Sequence, residues 1–456
     1  MSADVTRRSV ATLMGATLTG IALGPAAPAI AEGPKPRGRR QADDPRVQYR
    51  SWVSAADWES GAADGVRVRT GAVPAIEIRE PSGTREYTDP HTGRTRAWET
   101  STWTSPAHSL DFGADELIAS WNAKTPPGTW IEVALRAHYS EGGDTPWYVL
   151  GRWASGDADI KRMSVSGQRD GQSEIATDTL LISDKDGRAR FTGYRIRVTL
   201  LRAQDSSATP SVVRVGAMAS AVPDRFTVPA SQPGVGRGIE LRVPRYSQNT
   251  HAGDYPEYDN GGEAWCSPTS SQMVLEYYGR TPTEEDLDWV EPPDHPDPSV
   301  DHAARFTYDY TYEGCGNWPF NAAYAATYQD MGAVVTRLGS LTDAEKLIAA
   351  GIPVITSQSF AERELDGAGY GTEGHLMVLI GFTEDGDVIA NDPASPSNEA
   401  VRRVYPRRQF ENIWLRTERR PADGSTASGS GGVCYLYFPD EPGSDRSRAL
   451  RELGIR

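Results

Sequence analysis

The chain is poor in cysteine, with three in 456 residues: Cys266, Cys315 and Cys434. An odd count leaves at least one thiol without an intramolecular partner. Positive charge is also in deficit. A formal net charge of −15 argues against nucleic acid or an anionic membrane as partner. Beyond a mildly apolar stretch near the start, no apolar run approaches the ~20 residues of a membrane span, so no transmembrane anchor is expected. Amphipathic helices of useful length are missing from the first half. What is present is 38% hydrophobic with 12 Trp and 19 Tyr. That is the composition of a soluble globular protein, long enough for two or three domains.

The N-terminal stretch "TRRSVATLMGATLTGIALG" pairs Arg7 with Arg8 ahead of a short apolar run, and "AIA" (Ala29 to Ala31) supplies a small-x-small cleavage site. Residues 1–31 therefore read as an export signal of twin-arginine type. The alternative is an ordinary secretory signal. Either way a secreted, extracellular protein is expected, released or held at the cell wall. The polar, proline-rich residues 32–46 read as a disordered leader. From 47 to 222 the pattern is that of short strands. "TWIEVALRAHY" alternates Ile131, Val133, Leu135, Ala137 and Tyr139 as a half-buried strand, and "YRIRVTLLRA", "WYVLGRWAS" and "SVVRVGAMAS" add three more. This predicts an all-β sandwich or jelly roll. "TVPASQPGVGRG" lies within a linker over 223–238. Residues 239–440 mix helix and strand, and 441–456 read as a polar tail. The fold class is α+β.

The most informative stretch is "EAWCSPTSSQMVLEYYG". Pro268 suits the first helical position, Met273, Val274, Tyr277 and Tyr278 recur at helical spacing, and Gly279 supplies a left-handed stop. Cys266 then sits at a helix N-terminus, where unpaired N–H groups and the dipole favour a thiolate. A bland reading, a small buried hydrophobe, competes for any lone cysteine. "GHLMVLIGFTEDGDVIANDP" reads as a hairpin turning at "EDGD", which sets His375 near Asp392 across the ladder. Cysteine, then histidine, then aspartate supplies a nucleophile, its base and the group that orients the base. Gln248, in "VPRYSQN", is the candidate oxyanion donor together with the Cys266 backbone N–H. "NWPFNAAYAATYQDMG" and a capped segment from Thr342 read as helices. "DHPDPSVDH", with His295 and His302, reads as a solvated loop rather than a metal site. No cofactor or metal is expected. Trp318, Phe320 and Tyr370 are candidates to line a cleft, with core packing as the competing role.

"VPRYSQ", "WCSPTSSQMVLEYYG", "GNWPFNAAYAA", "LDGAGYGTEGHLMVLIGF" and "VIANDPAS" together resemble the actinobacterial secreted, bacteriocin-processing-like (C39-like) cysteine peptidases of the papain-like superfamily. The resemblance spans about Leu241 to Phe438. It implies a papain-like domain with Cys266 as nucleophile, His375 as base, Asp392 as its orienter and Gln248 as oxyanion donor, acting on a peptide or protein. Two departures stand out. Cys-Ser-Pro replaces the usual Cys-Gly-Pro, so Ser267 narrows the space beside the thiol. The gap from Gln248 to Cys266 is also longer than usual. A peptide hydrolase is thus expected. Against it stand a wall- or glycan-binding protein with an inactive papain-like domain, and a peptidoglycan amidase or transpeptidase.

Overall fold

The computed structural model describes residues 45–184, 187–421 and 424–455. The predicted export signal, and the leader up to residue 44, lie outside them.

The first part of the chain builds two seven-stranded sheets. In one, the long strands Glu116–Lys124 and Ser211–Ala221 pair antiparallel, and Arg46–Trp52 adds to the latter. In the other, Phe191–Ala203 lies between Thr95–Thr104 and Thr129–Tyr139. Apolar side chains of both sheets join one core, among them Trp103, Trp121, Ile131, Val133, Val198 and Val215. Thr129–Tyr139 departs from the half-buried expectation. Trp130, Glu132 and Ala134 on its other face are buried too. Trp130 packs edge-on against Trp98, and the Glu132 carboxylate is satisfied by Arg85 at 3.0 Å and Arg152 at 2.9 Å. A buried carboxylate paired in this way escapes the cost that solvation loss would otherwise impose.

The remainder forms a six-stranded antiparallel sheet, ordered Met331–Arg337, Val433–Pro439, Val354–Phe360, Thr372–Phe382, Val388–Asn391, Arg402–Tyr405. Thr372–Phe382 is buried along nearly its whole length, which its continuous apolar run requires. The helix Cys266–Tyr277 packs against this strand. It starts one residue before the serine, so Pro268 is its third residue rather than its first. It ends as expected. Gly279 takes φ +68°, its N–H reaches Glu276 O at 2.9 Å, and Arg280 N–H reaches Leu275 O at 3.0 Å. Those two bonds make a Schellman cap, which needs the left-handed conformation glycine adopts without strain.

Other segments differ from their sequence reading in instructive ways. The helix expected from Thr342 runs Leu341–Ala349, because Ser340 and not Thr342 accepts the Asp343 N–H. Pro298–Thr307, in the stretch read as a loop, is a helix opened by Pro298 with Asp301 wholly buried. The supposed polar tail carries the helix Asp445–Glu452, which buries Ala449 and Leu450. The 227–238 stretch has little regular structure but is strapped down. Val228 N–H bonds Asn412 Oδ1 at 3.0 Å, Gly236 N–H bonds Glu345 Oε2 at 3.2 Å, and Arg407 Nη2 bonds Ser231 Oγ at 2.9 Å. Beyond it Ile239 O accepts from Phe382 N and Leu241 N donates to Ile380 O, each at 2.8 Å. Between them lies Gly381, where a Cβ would stand 2.2 Å from Ile239 O.

The front sheets are joined to the rest through polar and aromatic contacts. Asn122 donates to Ala333 O at 2.7 Å and accepts from Ala333 N at 3.2 Å, capping the edge strand Met331–Arg337. Phe320, on the helix Trp318–Ala325, meets Trp121 and Trp153 edge-on at 6.1 and 5.3 Å. Among the described residues no helix is long and apolar enough to cross a membrane.

Candidate functional site

Cys266 is the first residue of its helix. Trp265 precedes it and supplies no side-chain cap to the first-turn N–H groups. The residue is 4% exposed. Ser267 hydrogen-bonds Tyr435 OH at 3.0 Å, on the strand Val433–Pro439.

His375 is the fourth residue of Thr372–Phe382 and pairs in the ladder with Gln358, not with Asp392. The hairpin ladder stops at Val378–Asn391. Beyond its end the chains stay close enough for the side chains to meet, with His375 Nε2 2.8 Å from Asp392 Oδ1. With Nε2 engaged, Nδ1 is the nitrogen left for the thiol. Both residues are buried. Burial alone would lower the His375 pKa; the Asp392 carboxylate and, after it, the Cys266 thiol outweigh that and raise it. Burial would raise the Asp392 pKa; the imidazole and two tyrosine hydroxyls outweigh that and hold it below the ordinary value.

Those tyrosines were not both anticipated. Tyr405 OH donates to Asp392 Oδ2 at 2.6 Å and Tyr370 OH to the same oxygen at 2.9 Å, while Ala394 N–H bonds Oδ1 at 3.0 Å. Asp392 thus accepts four hydrogen bonds. Tyr370, read as a cleft candidate, also stands edge-on to the His375 ring at 5.6 Å. Tyr405 lies on the next strand, and no local signal ties it to Asp392. Gln358 was also missed. As the ladder partner of His375 it shares that residue's face, and it is fully buried with neither amide atom hydrogen-bonded.

Gln248 lies in the short 3-10 turn Gln248–His251 and is buried. Its N–H bonds Pro393 O at 2.9 Å, next to Asp392, and its Nε2 donates to Glu263 O at 2.6 Å, just ahead of Cys266. The long gap has therefore not carried Gln248 away from the cysteine helix. One N–H of its amide is spent on Glu263, leaving the other. Phe320 packs into the interface with the front sheets, while Trp318 N–H bonds Asp178 Oδ2 at 2.9 Å. Asp178 comes from the front sheets, and burial pushes its carboxyl up to about 7. All three cysteines are free. Burial raises the pKa of Cys315 and of Cys434. No disulfide joins Cys315 to Cys434, the pairing that would have spared Cys266.

Residues 48–220 match the family described as the Peptidase C39 N-terminal domain, and residues 240–422 match the Peptidase C39 like family. The chain belongs to the C39-like peptidase family. Among solved structures, this C39-like chain is similar to a C39-like peptidase from Bacillus anthracis, at 20% identity over 44% of this chain and 96% of that one, with a TM-score of 0.27. It is also similar to the agarase AgWH50C, at 9% identity over 44% of this chain and 34% of that one, with a TM-score of 0.20. Likenesses at these TM-scores add nothing to the family assignment. No curated protein matches the chain.

Proposed function

We propose that the chain is an exported, papain-like cysteine hydrolase that cleaves peptide amide bonds. The observation that carries this reading is the buried Asp392–His375 contact of 2.8 Å beside a cysteine that opens a helix. His375 takes the thiol proton of Cys266, and the helix N-terminus favours the resulting thiolate. The thiolate attacks the substrate carbonyl. The Gln248 side-chain N–H and the Cys266 backbone N–H hold the oxyanion that forms. Collapse expels the amine, which takes the proton back from His375, and leaves a thioester on Cys266. Water activated by His375 then releases the acid. Asp392 keeps the ring oriented and stabilises its charge without handling the proton.

In this reading residues 47–222 are a β-sandwich of jelly-roll type, 223–238 the link, and 239–440 the papain-like domain. Residues 1–31 direct export, and the substrate is a peptide or protein, with cell-wall peptide among the candidates. The test is digestion of a fluorogenic peptide library beside purified peptidoglycan, with Cys266→Ala as blank. Release from peptides by the native chain alone supports the proposal. Release from peptidoglycan only would move the chemistry to a wall amidase, and release from neither would defeat the hydrolase reading.

A further inference from the structure

The segment between Gln248 and Cys266, together with the stretch read from sequence as a solvated loop, brings four metal-ligating side chains together: His251, Asp254, His295 and Asp301. One donor atom from each lies within 4.8 Å of all the others. His251 Nδ1 is 3.1 Å from Asp301 Oδ2 and 4.0 Å from Asp254 Oδ2, and His295 Nε2 is 2.8 Å from Asp254 Oδ2. A tetrahedral zinc ion with bonds of 2.0–2.2 Å holds its ligands roughly 3.3 Å apart, which these separations straddle.

The hydrogen-bonding pattern gives the second, independent reason. His251 and Asp301 are fully buried, yet neither nitrogen of the ring and neither oxygen of the carboxylate makes a hydrogen bond. The 3.1 Å approach of His251 to Asp301 is therefore close but misaligned for a proton. Buried charges of this kind are normally paired or coordinate a metal. His295 Nδ1 meets Pro296 O at 2.9 Å. Its Nε2 hydrogen-bonds Asp254 Oδ2 at 2.8 Å; with Nδ1 held by a backbone carbonyl, a bound ion would replace that proton on Nε2, the second-sphere arrangement that metal-bound histidines use. Two imidazoles and two carboxylates make a donor set whose negative charge a divalent cation neutralises, and the mixed N/O set suits zinc better than calcium or magnesium.

We infer that His251, Asp254, His295 and Asp301 form a structural site for a zinc-like divalent cation. Its place in the chain gives it work. His251 ends the turn that begins with Gln248, and its ring packs 6.0 Å from Trp265, the residue before Cys266. The ion ties the long segment 249–265 to the helix Pro298–Thr307, and so fixes both ends of the passage between Gln248 and Cys266.

The site is tested in the full chain carrying Cys266→Ala, so that ligation by that thiol cannot be mistaken for it and no activity is needed. After dialysis against chelator, zinc alone is added and bound metal is counted by mass spectrometry, with thermal unfolding followed in parallel. One equivalent of zinc and a raised melting temperature are expected, with calcium and magnesium ineffective. Adding Asp301→Asn, which keeps the shape, or His295→Gln, at the more accessible corner, should weaken binding by ~100-fold or more. Absence of bound zinc would overturn the inference and leave two histidine–aspartate ion pairs. Zinc bound at one equivalent but indifferent to both substitutions would overturn it equally, because the ion would then lie elsewhere.

Discussion

Asp392→Asn separates geometry from charge at the proposed catalytic base. Asp392 Oδ2 receives two tyrosine hydroxyls, while Oδ1 receives His375 and the Ala394 N–H. An asparagine can keep its oxygen toward His375 and Ala394 and turn its NH₂ toward the tyrosines, whose hydroxyls accept as readily as they donate. The imidazole should stay in place while its counter-charge disappears. At ~4 Å between charge centres and an effective dielectric of ~20, that counter-charge contributes about 4 kcal/mol. This corresponds to roughly three units of imidazole pKa. Cys266 alkylation by iodoacetamide near neutral pH should therefore slow by about 10²–10³, with its titration displaced. Stability supplies a second readout. The His375 pKa is raised by folding, so its contribution is complete below ~6.5 and fades as pH rises through the folded value; that of Asp392 is depressed, so its contribution is complete above ~3.9 and fades on acidification. The difference in denaturant midpoint between the native chain and the variant should be largest between those limits. An unchanged labelling profile, with a pH-independent stability difference, would refute the argument.

In the native chain iodoacetamide should modify Cys266 well before Cys315 and Cys434, whose burial raises their pKa values; mass spectrometry of labelled peptides showing equal rates would remove Cys266 as the nucleophile. Gln248→Ala should lower kcat by ~10²–10³ with little change in KM, because its bond strengthens only as the oxyanion forms, and Cys266 labelling should survive. Full activity there would shift attention to Asn249. Asp178 is raised from 3.8 to about 7 by burial, so the folded state holds its proton longer and stability should fall between those values as pH rises, by at most about 4 kcal/mol. Denaturation of Asp178→Asn at both ends of that range should show the slope reduced. Arg7→Lys with Arg8→Lys should block secretion if the twin-arginine route is used, and undiminished secretion points to the general route.

The parts of this molecule legible from sequence are those governed by short-range chemistry. A glycine stop, the alternating strands and the tight "EDGD" turn each act within a few residues, and all three are present in the structure. The His375–Asp392 contact was legible only in outline. The turn brought the chains together, but the bulge between Leu379 and Gly381 changes the register. The ladder ends before either residue, and the side chains complete the approach. What sequence could not carry were partners separated by the fold. Tyr405 meets Asp392 because one more strand is added beyond the hairpin. Gln358 meets His375 because the preceding strand, Val354–Phe360, pairs antiparallel with it, a register that no local turn signal sets. Asp301 looked like one of several loop acids, since the prolines before and at the start of its helix masked the apolar face formed by Val300, Ala303 and Ala304.

The same long-range contacts bear on whether the front sheets could act as a free-standing binding module. Such a module would meet its neighbour through a modest, wet interface that moves freely. Here Asp178 caps the Trp318 N–H, and Phe320 of that helix enters the aromatic group of Trp121 and Trp153. At Gly151 a Cβ would stand 2.8 Å from both Phe320 and Trp121, so the backbone itself makes room for the ring. Arg162 is fully buried and donates to Arg305 O at 2.8 Å, across to the helix that contributes Asp301. The edge of the last sheet is closed by Asn122 rather than by a strand of its own. Separating the two parts would expose that edge and cost Arg162 and Asp178 the partners each finds across the join, Arg305 O and the Trp318 N–H. The front sheets therefore help hold the elements that carry the cysteine site, whatever else their outer surface binds.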